Sequence, residues 1–195
     1  MLWKSTGSTL RSNDGATFWF DPGAACLDLT YTGGEGPWAP WERLHRPEDW
    51  RAWLAEPGHD IVLDTRPRAV SIARARSLRE VVRRIAEARA GRGALDRKDI
   101  ASLNVEAARP DLAPRLGDDL LPTWTGPVTL DRVVASLARD AVDLFARTPT
   151  ERFRICAADD CPLMFVDASR PGQRRWCSME RCGNRSKVRR HRGRG

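Results

Sequence analysis

Two stretches of the chain repeat apolar residues at the three-to-four spacing that gathers them on one side of a helix. In the first, Val70, Leu78, Val81, Val82, Ile85 and Ala88 form a stripe opposite Arg74, Arg76, Arg83 and Arg84. Thr65 can cap its start, Pro67 sits just inside, and Gly91 and Gly93 end it. In the second, Leu130, Val133, Val134, Leu137, Ala141, Leu144 and Phe145 recur behind a capping Thr129 until Thr148, Pro149 and Thr150 break the pattern. The spacing predicts helices over 67–90 and 130–147 that bury Leu78, Val81, Ile85, Val134, Leu137 and Leu144 against each other.

Shorter elements fill the rest. Residues 47–55 predict a short helix with Pro47 near its first position, and Asp96 caps another with Ile100, Leu103 and Ala107 inward, stopped by Pro110. Phe18, Trp19 and Phe20 predict a strand ended by Asp21, Pro22 and Gly23, and 24–30 is a second short apolar piece. Leu120, Leu121 and Trp124 make 115–125 strand-like. The glycine- and proline-rich run 32–40 is a loop, with Trp38, Trp41, Trp50 and Trp53 around it either as core or as an aromatic pocket wall.

Near the end the chemistry changes. Cys156 and Cys161 are separated by four residues, Cys177 and Cys182 by four more, and the two pairs by fifteen. Two short cysteine loops across such a spacer supply the four tetrahedral ligands of one structural zinc ion. Two disulfides, a redox pair and a catalytic zinc compete; these need, respectively, an oxidising compartment, a two-residue spacing and an open coordination position. Residues 153–155 and 164–166 can pair as a hairpin, and Ser178 can cap a helix running toward His191 that contains Cys182. With so few apolar residues here, zinc is expected to fold the segment. Cys26 and His191 look like bystanders.

Charge singles out the same segment. From Glu151 onward there are twelve bases and five acids, so the whole +7 of the chain lies there, and the 150 residues before it carry 21 of each. Hydrophobic residues at 41% suffice for a core. Such a localised surplus points to a dedicated polyanion-binding module, with Arg174, Arg175, Arg185, Lys187, Arg189 and Arg190 as its nucleic-acid contacts and Arg185, beside the cysteine loop, the best placed to reach a base edge. The reading is an α+β chain: a mainly helical N-terminal domain with a few short strands over 1–148, and a small four-cysteine zinc finger of hairpin and helix with a basic tail over 149–195.

The run Cys182, Gly183, Asn184, Arg185, preceded by Arg174 to Cys177 and followed by Ser186 to His191, resembles the zinc finger named for its Cys-Gly-Asn-Arg signature. Cys26 to Leu29 is similar to the early Leu-Asp-Phe motif of the ABATE domain that precedes that finger, and Ala75 to Glu80 to its Arg-x-Leu-Arg-Glu run; Tyr31 and Thr32 stand where that family tends to show Asn-Thr. Members are regarded as stress-induced transcriptional regulators, so the resemblance implies DNA binding.

An enzyme is not expected: the first domain has only His45 and His59, no phosphate-binding glycine loop, no serine elbow and no metal-ligand spacing. Asp28 and Arg79 are a candidate pair lining a ligand pocket, or an ordinary salt bridge. The leading expectation is a DNA-binding regulator whose first domain senses a small molecule or partner. The alternative is a ligand-processing or partner-binding protein whose zinc module contacts RNA or protein. A polar start and the lack of an 18-residue apolar run predict a cytoplasmic protein with no membrane partner. One finger buries little surface, so tight site-specific binding is expected to need a homodimer made through the first domain.

Overall fold

The stripe ahead of Gly91 folds as α3 (Ala69–Arg89), two residues later than Pro67 suggests, with Arg68 at the N-cap. The computed structural model describes residues 6–11 and 15–192, side chains at 190–192 excepted. Around α3 lie α1 (Ala25–Thr30), α2 (Pro47–Leu54), α4 (Arg97–Ala107) and α5 (Leu130–Arg147), and α6 (Asn184–Arg192) follows the last cysteine. The strands make three antiparallel hairpins: β1 (Ser8–Arg11) with β2 (Thr17–Phe20), β3 (Pro114–Leu116) with β4 (Pro122–Trp124), and β5 (Phe153–Ile155) with β6 (Met164–Val166). The chain is thus mainly helical with a few short strands, and its four clustered cysteines sit at the C-terminal end.

Helices α4 and α5 start where short polar side chains meet orphan backbone N–H groups. Asp96 accepts from Lys98 N at 2.8 Å and Thr129 Oγ1 from Arg132 N at 3.4 Å. α5 buries Val133, Val134 and Leu137 beside the small Ala135, Ser136, Ala138 and Ala141, which lets α1, α3 and α4 approach closely. Arg74 ties three helices together by pairing with Glu106 of α4 and Asp131 of α5. Leu78, Val81, Ile85, Val134 and Leu137 are buried as their spacing predicts, and Leu144 is half-buried.

Some positions depart from the simple stripe. Val70 lies in the first turn of α3 before it meets α5 and is 57% exposed, and Ile100 is 38% exposed. Arg83, assigned by spacing to the polar face, is buried: its guanidinium donates to the Thr30 and Gly33 carbonyls and to Glu80 and lies over the Trp38 ring. The apolar piece over 24–30 folds as helix and is buried throughout α1. The four tryptophans split, Trp50 and Trp53 filling the core while Trp38 and Trp41 stay near the surface. Gly33 and Gly34 make this loop possible: both have positive φ, and a Cβ there would meet the Glu42 backbone and the Arg83 guanidinium.

The C-terminal hairpin packs into this body. Met164 and Val166 join the helical core while Phe165, between them, joins a second cluster of Phe18, Phe20, Tyr31, Leu163 and the four cysteines. Alternation along β6 thus serves two cores. Tyr31 Oη donates to Met164 O at 2.7 Å and accepts from Met164 N at 2.9 Å, and Val166 N donates to Pro22 O. On the far side Phe153 stacks on Phe145 and carries the Arg89 guanidinium.

Candidate metal centre and nucleic-acid face

The first cysteine pair is set by a turn. Cys156 directly follows β5, Cys161 N donates to Ala158 O to close the loop, and Cys156 N donates to Leu163 O across the hairpin. In the second pair Cys177 precedes and Cys182 lies within a wide helical turn, Met179–Gly183, closed by Gly183 N on Ser178 O, before α6 begins at Asn184. Ser178 takes the N-cap position without a side-chain cap bond, and Cys182 lies in this turn rather than in α6. Gly183 serves packing within it, because a Cβ there would run into the Met179 side chain.

All four cysteines are buried, and their sulfurs lie within 4.8 Å of one another. Cys161 and Cys177 Sγ are 3.7 Å apart and Cys177 and Cys182 Sγ 3.5 Å. Bare thiols so crowded compete for charge. Hydrogen bonds from Cys161 and Cys177 hold Cys156 far below the ordinary thiol range, and those same bonds, with burial, push Cys161 and Cys177 up. A bound dication resolves that conflict by stabilising every thiolate at once. The donor set fits zinc: four soft sulfurs and no oxygen ligand among the described residues. With four thiolates the shell is closed, so the ion is structural.

Neighbouring donors offset the negative charge of such a centre. Cys177 N donates to Cys156 Sγ at 3.4 Å, and Arg185 Nη2 reaches Cys182 Sγ at 3.5 Å while bonding Asp160 at 2.9 Å. Arg189 Nη2 holds the other Asp160 oxygen at 3.1 Å.

The six basic residues assigned to nucleic acid therefore have different surroundings. Arg174 is an internal brace: it donates to the carbonyls of Asp21, Trp176 and Cys177 and lies 4.1 Å from the Phe165 ring centroid. Arg185 and Arg189 are tied to Asp160, Arg185 at the sulfur cluster rather than projecting outward. Arg175, over the Trp176 ring, and Lys187 are exposed, and Trp176 Nε1 donates to Ser186 Oγ, bringing these neighbours of Arg175 and Lys187 together. The Arg190 and His191 side chains lie outside the described residues. Asn184 donates to Glu180 O, bracing the turn.

Asp28 and Arg79 are both buried but do not pair. Arg79 forms a bidentate bond with Glu42, at 2.5 and 3.1 Å, and also reaches Thr32 and Glu80. Asp28 accepts from Gly7 N at 2.8 Å and lies 3.9 Å from His59. Burial pushes Asp28 up to about 8 and His59 down to about 4, so both are neutral at pH 7. Cys26 is buried with a raised thiol and donates its N–H to Asp140.

Residues 152–195 match the family model of the CGNR zinc finger, and 23–148 match the ABATE model, described as "Putative stress-induced transcription regulator". The chain belongs to the ABATE family. No curated protein matches it. The ABATE region ends at the end of α5, and the finger that follows carries one structural zinc on Cys156, Cys161, Cys177 and Cys182. Three features of this ABATE protein escaped the sequence pattern: the Tyr31 clamp, the buried Arg83 and the role of Asp160. The single tyrosine of the chain standing in the variant position after Leu-Asp was the only signal for the first.

Proposed function

We propose that this ABATE protein is a DNA-binding transcriptional regulator without enzymatic activity, acting in the cytoplasm, whose finger contacts duplex DNA and whose N-terminal domain senses a small molecule or partner. The observation that carries the reading is the location of the whole +7 surplus in the segment that zinc organises. Arg175 and Lys187 are the exposed bases beside the zinc-held turn, and Arg185 and Arg189, now on Asp160, can exchange that carboxylate for phosphate oxygens. The family description supports regulation of transcription. Among the described residues no helix is long and apolar enough to cross a membrane.

The test is fluorescence anisotropy of the zinc-loaded full chain on duplex DNA across a salt series. With the half-buried Arg174 guanidinium engaged by backbone carbonyls, a log–log slope of about −3 to −5 is expected. Joint replacement Arg175→Ala and Lys187→Ala flattens it by about two units, since each lost phosphate contact removes about 0.9. Binding that ignores salt, or equal binding by the double variant, would overturn the reading, and retained binding to single-stranded RNA alone would replace DNA as the partner.

A further inference from the structure

We propose that the cleft between the β1–β2 hairpin, the loop after α1 and the first cysteine loop is a binding site for a small planar aromatic carboxylate. The proposal deepens, and rests on, the sensing role given above to the ABATE domain, and it moves that role away from Asp28 and Arg79.

The cleft encloses a cavity of about 100 Å³ walled by the rings of Phe18, Tyr31, Trp38 and Trp41. Within this wall Tyr31 packs edge to face on Trp38 at 6.0 Å between centroids, and Phe20, behind it, packs edge to face on Tyr31 at 5.0 Å. Trp41 is 37% exposed at this cleft and offers it a flat apolar ring face. The wall is rigid because Tyr31 is fixed at its hydroxyl by Met164 and Trp38 is fixed by Arg83. An apolar cavity of roughly 150 Å³ takes one benzene-sized molecule, so this open one suits a single ring with its substituent at the mouth and excludes a nucleotide.

Charge selects the substituent. Arg11 and Arg181 line the cleft, and among the described residues neither guanidinium has a hydrogen bond or an acidic partner, Arg181 lying only against the Phe18 ring at 4.7 Å. The acid on the lining, Asp160, is already held by Arg185 and Arg189. A cationic ligand would find Phe18 and Trp38 covered by Arg181 and Arg83 and no free carboxylate. An anion meets two guanidinium forks that have no partner among the described residues, a geometry that suits a carboxylate.

The position of the cleft gives it a route to the finger. Its far wall is the segment Asp160 to Leu163, which contains a zinc ligand and the carboxylate that holds two arginines of α6. An occupant therefore bridges the ABATE domain and the loop that positions the basic helix.

The experiment is calorimetry and ligand-observed NMR on the zinc-loaded full chain, without DNA, using benzoate, 4-methylbenzoate, benzyl alcohol and benzylamine as probes. The acids are expected to bind saturably, with the alcohol weaker by about threefold to tenfold and benzylamine weakest, the range of a partly exposed ion pair. Arg181→Gln should bring benzoate to the level of the alcohol, and Trp41→Ala should weaken acid and alcohol alike, each variant keeping its zinc. No saturable binding by any probe, equal affinity for acid and alcohol, or an Arg181→Gln variant that keeps the preference would each overturn the site. Binding of benzoate with no change in DNA affinity upholds the site and counts against the sensing role, so the two fail separately.

Discussion

The helical part of the molecule and its zinc-bearing end solve the same problem with different materials. In the first, α3 and α5, of about six and five helical turns, interleave aliphatic side chains, and Trp50, Trp53 and Leu54 of α2 close the core. In the second, the strands are three residues long and α6, nine residues with mostly charged side chains, offers almost nothing apolar to bury. Four sulfurs stand where the first region has a core. Yet the two are not separate bodies, because β6 gives alternate side chains to each and Tyr31 bonds its backbone from the other side. A finger so poor in carbon borrows Phe18, Phe20 and Tyr31 from the hairpin and helix beside it.

The largest effect that can break this contrast is removal of the metal. Cys177→Ser should abolish zinc binding, with a loss on the order of 10–16 kcal/mol of binding free energy for the finger. Metal content and near-ultraviolet circular dichroism check it; a variant with full zinc would show that three thiolates suffice. Next comes Leu137→Ala, in the buried face of α5, which should cost about 2–5 kcal/mol in denaturant unfolding while the purified protein still carries one zinc. A larger loss of zinc than of helix stability would make the metal, not the helices, the organiser of both cores. Tyr31→Phe deletes the hydroxyl that satisfies both Met164 backbone groups, and a cost of about 1–3 kcal/mol is expected, seen also as faster zinc loss to a chelator.

The smallest expected effect is a pH dependence confined to the helical part. Asp28 titrates at about 8 in the folded chain against 3.8 ordinarily, so its contribution to stability is complete below the ordinary value and is lost as pH rises through 8. His59, lowered to about 4, works the other way, its contribution being lost as pH falls from 6.5 through 4. Of these two groups only Asp28 titrates between pH 6.5 and 8. There the wild type should lose up to roughly 1.4 kcal/mol per pH unit relative to Asp28→Asn, measured by urea unfolding at several pH values.

The same contrast explains what the sequence revealed. Helix α5 was legible to the residue because Thr129 starts it, a regular stripe sustains it and Pro149 follows its end; α3 was legible except for its first turn, where Pro67 lies before the helix rather than in it. The cysteines were legible because metal geometry restricts spacing. Arg83 was not, since spacing assigns a residue to a face without saying whether carbonyls wait there to accept from it. Arg174 looked like its exposed neighbour Arg175 for the same reason: a run of arginines carries no mark of which one points inward at Phe165. Nor could any local pattern show that Asp28 and Arg79, both buried, answer to different partners more than one element apart.

The central claim is that zinc holds a finger whose folding is continuous with one face of the helical domain. Hydrogen exchange of the full chain, zinc-loaded and after chelation, tests it most directly. The account predicts that chelation strips protection from 153–192 and also from 17–32, where Phe18, Phe20 and Tyr31 share the second cluster, while α4 and the Leu130 to Ala141 part of α5 stay protected. Loss confined to 153–192, with the segment around Tyr31 unchanged, would contradict it.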